Sequence, residues 1–207
     1  MQKDPHTVLE QVGALLRGHF VLASGNHAAE YVNKDALYPH IRETSDLCRR
    51  MAEFADPAIE VVAAPAIGGV VLSQWVAHHL ALRTGNDILA VYAEPAQDGT
   101  LAFKRGYDRL LPGKNVLVVE DVLTTGGSAK KVVDAVRQLH GEVTDVCVLS
   151  NRGGVTAEQL GVSRLHALTS IPMELYESED CPLCREGVEV NTEVGKGAQF
   201  LASKASP

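Results

Sequence analysis

At 207 residues with 45% hydrophobic content, the chain is long enough for one domain of ordinary size, or one domain with a small appendage, to bury a sizeable core. A net charge of -7 argues against nucleic acid or an anionic membrane as the main partner, because both reward clustered Lys and Arg, so an anionic ligand has to be held locally. The longest apolar runs, such as Ala63 to Ala77, are broken by Pro65, Gly68, Gly69, Ser73 and Gln74 and fall short of the ~20 residues that a bilayer span needs.

The opening MQKDPHTVLEQVG has no charged start followed by an apolar stretch and a small-residue cleavage site, so the expected compartment is the cytoplasm. Cys48, Cys147, Cys181 and Cys184 are too few and too unevenly placed for a disulfide framework, which fits a reducing environment.

In chain order, Val8, Leu9, Val12, Leu15 and Leu16 recur at helical spacing and predict an opening helix that ends near Gly18. From Ile59 the text alternates short β-branched runs with helical patterns: EVVAA, then Val70 to Leu82; ILAVYA; NVLVVE, then Ala129 to His140; VTDVCVLS; and RLHAL. That alternation predicts an α/β fold with a mainly parallel sheet flanked by helices, whose ligand edge lies at the carboxyl ends of the strands. Residues 93–114 are long and polar for a strand connection, which predicts a lid or a small hairpin, the lid being favoured. After Ile171 periodicity fades, and the closing LASKASP reads as a frayed tail.

The most informative stretch is VLVVEDVLTTGGS, Val116 to Ser128. A buried strand delivers Thr124, Thr125, Gly126, Gly127 and Ser128 to the start of a helix in which Val132, Val133, Val136 and Leu139 share a face. Unpaired backbone N–H groups and the positive helix end favour a phosphate there, and glycine allows close approach. The stretch is neither GxxxxGK[ST] nor GxGxxG, so neither ATP nor NAD is indicated. Glu120 and Asp121 at the strand tip would repel a phosphate unless hydroxyls or a cation stood between, which a sugar phosphate supplies: ribose hydroxyls for the carboxylates, with magnesium held in the same place. Farther upstream, Pro65-Ala66-Ile67-Gly68-Gly69 presents backbone amides between a strand and a helix.

VLVVEDVLTTGGS closely resembles the phosphoribosyl pyrophosphate (PRPP) signature of type I phosphoribosyltransferases. The resemblance implies one such domain over 1–207, a hood made of 1–40 and 171–207, a mobile catalytic loop at 93–114, and a homodimer. It also implies that Glu120, Asp121, Val122, Leu123 and Thr124 to Ser128 bind PRPP, that Ala66, Ile67, Gly68 and Gly69 bind its pyrophosphate, and that Mg2+ is the cofactor, brought with PRPP and with Glu120 and Asp121 as its candidate ligands. FVLASGNHAAEYVNK, Phe20 to Lys34, is similar to a segment near the start of orotate phosphoribosyltransferases. PAIGG, EDVLTTGGS, SNRGG and CPLCREGV follow in the order of a bacterial orotate-type subfamily, which implies orotate as the acceptor and pyrophosphate as a product. Arg152 of SNRGG then corresponds to the arginine that holds the orotate carboxylate, with Thr124 and Lys34 as further base contacts.

The chain departs from that pattern where Ala23 replaces a lysine before the SG pair, where His27 and Ala28 replace polar residues, and where the loop offers only Lys104, Arg105 and Arg109 as cations. Lys104 and Arg105 are the candidates to meet the charge of departing pyrophosphate, and solvated hairpin charges are the alternative. A purine acceptor, or a regulator that binds PRPP without turnover, stays open beside orotate. Cys181 and Cys184 form a lone CxxC, read as packed or surface thiols, with zinc completed by another subunit's pair or a distant His as the alternative. Trp75, His78 and His79 read as structural residues of a helix.

Overall fold

Runs of β-branched residues become strands and the apolar-striped segments become helices in the structure, a computed structural model that describes residues 3–22, 24–170 and 174–205. In chain order the elements are α1 (Pro5–Gln11), β1 (Leu15–Val21), β2 (His27–Val32), α2 (Ile41–Phe54), β3 (Val61–Pro65), α3 (Gly68–Thr84), β4 (Leu89–Pro95) and β5 (Leu101–Ala102). They continue with β6 (Asn115–Leu123), α4 (Gly127–Gln138), β7 (Glu142–Asn151), α5 (Ala157–Leu160), β8 (Arg164–Thr169), β9 (Leu175–Tyr176), α6 (Pro182–Arg185) and α7 (Gly197–Ala205). The chain divides into two units, 1–37 with 172–207, and 38–171.

The larger unit is built on a six-stranded sheet of order β5-β4-β3-β6-β7-β8, parallel except for β5. Strand alternation splits its core into two layers. Val116 and Val118 join Val132, Val133 and Val136 of α4 on one face, while α2 and α3 cover the other and bury Leu47, Met51, Leu72, Val76 and Leu80. Each such side chain, fully buried, contributes at most about 1.5–3 kcal/mol. Strand β3 has its successor β4 on one side and β6 on the other, so the winding direction reverses between β3 and β6. In an open α/β sheet that reversal opens a crevice at the carboxyl ends of the two strands.

Residues 93–114 form a hairpin rather than an open loop. Strand β4 turns back into β5, pairing Glu94 with Ala102 and Pro95 with Leu101, and a 3-10 turn at Tyr107–Leu110 follows. Trp75, expected at core-like spacing, is only half-buried in α3, a helix that runs on to Thr84.

The smaller unit holds an antiparallel sheet of order β1-β2-β9. Its first element corrects the expected long opening helix. Asp4 caps α1 by accepting from the amides of His6 and Thr7, but the helix ends at Gln11 and Gly13 turns the chain at φ +70°. Leu15 and Leu16 then lie in β1, paired with Val32 and Tyr31, because a hairpin partner offers bonds to the backbone groups of that segment that face it. The closing segment is likewise more ordered than its composition predicts: Leu201 to Ala205 belong to α7, and only the last two residues of LASKASP fall outside the described chain. Ala23, where the resemblance expects a lysine, also lies outside the described residues.

Candidate active site

The segment expected to cradle a phosphate is local. Strand β6 runs into the crevice, Gly126 takes a left-handed conformation at φ +77°, and α4 starts at Gly127. The first backbone bond within the helix is Lys130 N–H to the Gly126 carbonyl at 2.9 Å, so the amides of Gly127, Ser128 and Ala129 have no carbonyl one turn back to bond. They border a pocket of about 110 Å³ lined by Glu120, Val122, Leu123, Thr124, Thr125, Gly126, Gly127, Ser128 and Ala129. Hydroxyls, amides and the positive end of α4 converge on it, which is the chemistry of an anion site. Gly126 is required twice, by its φ and because a Cβ there would sit 2.9 Å from Val155 and 3.0 Å from Leu160.

The neighbouring acids do not share this pocket. Strand alternation sends Glu120 into it and turns Asp121 to the opposite side, and both residues are about 6% exposed. Asp121 Oδ1 accepts from the Val122 amide at 2.6 Å, and the Tyr38 hydroxyl lies 3.5 Å from Oδ2 while donating to the Gly68 carbonyl at 2.5 Å. Tyr38 therefore ties the β6 tip to the loop after β3. Sequence reasoning missed it, since a single tyrosine in LYPH carries no motif.

That second loop flanks the same crevice. The Ala66 amide donates to the Ala93 carbonyl at 2.8 Å, the Ala66–Ile67 peptide is cis, and α3 begins at Gly68. Gly69 allows α3 to close on β3, because a Cβ there would meet Ala64 Cβ at 2.6 Å. The loop after β7 completes the edge. The Arg152 and Gly153 amides donate to the Leu123 carbonyl at 2.9 and 3.0 Å, and the Arg152 guanidinium donates to Thr124 Oγ1 at 2.9 Å. A Cβ on Gly153 would fall 1.6 Å from the Thr124 carbonyl oxygen, so the close approach of the two loops needs glycine there, a second point the sequence did not reveal.

Three loops from adjacent parallel strands thus gather Ala66 to Gly69, Glu120 to Ser128 and Arg152 at one sheet edge. Lys104 and Arg105 follow the β4–β5 hairpin and fold back on it, Lys104 donating to the Pro95 carbonyl at 3.0 Å and Arg105 to Glu94 at 2.9 Å. Lys34 belongs to the smaller unit, where it opens the 3-10 turn Lys34–Ala36.

Residues 27–165 match the phosphoribosyl transferase domain family. An orotate phosphoribosyltransferase from Caldicellulosiruptor bescii is 39% identical over 92% of this chain and 96% of its own. The chain belongs to the phosphoribosyltransferase family, among the orotate phosphoribosyltransferases. The orotate phosphoribosyltransferase of Pelotomaculum thermopropionicum is 40% identical over 87% of this chain and 90% of its own. Among solved phosphoribosyltransferases, the orotate enzyme of Aeropyrum pernix aligns with a TM-score of 0.63 at 29% identity, covering 80% of this chain and 92% of that one. The Mycobacterium tuberculosis enzyme in complex with inorganic phosphate gives 0.61 at 26%, covering 81% and 95%. The family's fold, a mainly parallel sheet with flanking helices, is the one described above.

No described helix is long and apolar enough to cross a membrane.

Proposed function

We propose that this phosphoribosyltransferase moves the 5-phosphoribosyl group of PRPP onto a ring nitrogen of orotate, giving orotidine 5′-phosphate and pyrophosphate in pyrimidine nucleotide synthesis. The observation that carries the reading is the amide-lined pocket at the start of α4 with Glu120 on its wall, beside a glycine loop on the other side of the crevice between β3 and β6. The amides and hydroxyls of Thr124 to Ser128 hold the 5′-phosphate, and the Glu120 carboxylate accepts from ribose hydroxyls. The Ala66 to Gly69 loop takes the pyrophosphate, and Asp121 stiffens that loop through Tyr38. Arg152, already aimed at Thr124, grips the orotate carboxylate with its planar fork.

As the bond between ribose C1 and pyrophosphate breaks, positive charge grows on the sugar and negative charge on the leaving group. Glu120 favours the first, and Lys104 and Arg105, once released from Pro95 and Glu94 as the hairpin closes, favour the second. The carboxylates of Glu120 and Asp121 are hard oxygen donors near the crevice, which suits magnesium, and an ion carried on PRPP would neutralise the leaving pyrophosphate. A homodimer in the cytoplasm completes the reading, on family grounds.

The test incubates the protein with PRPP, magnesium and, separately, orotate, uracil, adenine, guanine, hypoxanthine and xanthine, and measures pyrophosphate release and nucleotide formation. Turnover with orotate alone, lost in Arg152→Ala, is the expected result. Turnover with a purine would move the acceptor site to the purine branch, and PRPP binding without turnover would make the protein a sensor.

A further inference from the structure

The smaller unit contains a cluster that phosphoribosyl transfer does not use. His19 and His27, from the β1–β2 hairpin, meet Cys181 and Cys184, from the cap and body of α6, and one ligand atom from each lies within 4.8 Å of all the others. His19 Nε2 is 3.6 Å from Cys181 Sγ and 3.7 Å from Cys184 Sγ, and His27 Nδ1 is 3.4 Å from Cys184 Sγ. Bonds of about 2.3 Å to sulfur and about 2.0–2.1 Å to nitrogen in a tetrahedron give edges of about 3.6 Å between N and S, so the three nitrogen–sulfur distances are those of a Cys2His2 zinc site. The two imidazole nitrogens stand 2.7 Å apart and need to part by only about 0.6 Å to span a tetrahedral edge of about 3.3 Å.

Proton bookkeeping points the same way. The Val188 carbonyl, 2.8 Å from His19 Nδ1, can only accept, so that nitrogen carries the proton and Nε2 of the neutral ring presents a lone pair inward. A carbonyl holding the outer nitrogen of a histidine is also the usual way a metal-binding ring is oriented. Without a metal, the two facing nitrogens need a proton between them, so His27 would have to donate from Nδ1 to His19, while its buried Nε2 has no hydrogen-bond partner among the described residues in either state. With a metal on Nδ1, both rings stay neutral and both inward lone pairs are used. His19, His27 and Cys181 are at most 1% exposed, and two thiolates balance a divalent ion, so the site can be buried without net charge.

The sequence folds to make this cluster. A register shift between Arg17 and Phe20 breaks the alternation of β1 and lets His19 and Phe20 both be buried in succession. On the far side, His19 bridges to Val190, and the Asn191 amide donates to the His19 carbonyl at 2.8 Å, which carries the CPLC turn alongside the hairpin.

We propose that His19, His27, Cys181 and Cys184 bind one structural zinc ion that cross-links the N-terminal hairpin to the C-terminal segment. All four ligands are protein side chains, so no position is left open for a reactant, and the role is structural. A unit made only of 1–37 and 172–207 is at the size where a single core rarely suffices and a metal or disulfide is the common staple.

The experiment is metal analysis of untagged protein purified without added metal or chelator, followed by exchange with cobalt(II). The expected result is one zinc per chain, a cobalt form with the visible bands of a tetrahedral ion and thiolate-to-metal charge transfer, and a lower Tm after chelation that added zinc restores. Loss of the metal in Cys181→Ser and Cys184→Ser, with retention in Glu120→Ala, would complete the assignment. Metal-free protein, a cobalt spectrum without thiolate bands, another metal in the same place, or zinc that survives both cysteine substitutions would overturn it, and each readout applies whether or not the protein transfers phosphoribosyl groups.

Discussion

The Arg152 guanidinium donates to the Thr124 hydroxyl at 2.9 Å, so a single side chain joins the loop after β7 to the loop after β6. Arg152→Ala removes that link and the proposed grip on the acceptor's carboxylate. A charge-assisted bond of this kind contributes about 1.5–3 kcal/mol, so kcat/KM for orotate should fall by roughly 10- to 150-fold. Arg152→Lys should recover little, because an ammonium lacks the planar fork. Steady-state kinetics with orotate varied checks both.

Tyr38 spans the crevice by donating to the Gly68 carbonyl at 2.5 Å, with Asp121 at 3.5 Å. Tyr38→Phe keeps the ring and deletes the bridge, which contributes about 0.5–1.5 kcal/mol. The expected outcome is a rise in KM for PRPP of about 2- to 10-fold with KM for orotate unchanged. An equal change in both constants would place the tyrosine elsewhere in the mechanism.

Asp145 is wholly buried in β7, and Arg164 holds both of its oxygens, Nε at 2.6 Å and a terminal nitrogen at 2.7 Å. Removing only the cation strands a buried carboxylate, which is worse than removing both partners. Thermal unfolding should therefore show a Tm drop for Arg164→Ala about twice that of the double variant Asp145→Ala/Arg164→Ala. A larger drop in the double variant would mean that packing, not charge, dominates there.

His79 on α3 accepts from or donates to Ser45 at 2.9 Å and stacks on Trp75, and burial holds its pKa below the ordinary 6.5, helped by the nearby charge of His78 and then Arg49. A histidine with a lowered folded pKa contributes stability that is present above 6.5 and is lost as pH falls below it, because the unfolded chain takes up the proton first. Unfolding measured from about pH 7.5 down to about pH 5.5 should show a shallower acid loss in His79→Gln than in the parent. Identical slopes would mean that the histidine titrates as it does in the unfolded chain.

Sequence alone determined the amide-lined pocket at the start of α4 and the class of fold. Thr124 to Ser128 are consecutive, and a strand, a left-handed glycine and a helix start suffice to aim their amides inward, so no distant contact is needed. The parallel sheet was legible in the same way, because strands covered on both faces are apolar almost without break, as in VLVV. Tertiary structure decided whatever depends on residues far apart in the chain. Leu15 and Leu16 fit a helical spacing until β2 offers them backbone bonds, Glu120 and Asp121 read as one acidic pair until the pleat sends them to opposite sides, and the resting partners of Lys104 and Arg105, Pro95 and Glu94, come into reach only once the hairpin forms. The partners of CPLC lie more than 150 positions upstream, brought in by a strand bulge and a bridge to Val190. Sequence spacing carries the geometry of neighbours along the chain, whereas pairing and packing across it set the geometry of everything else.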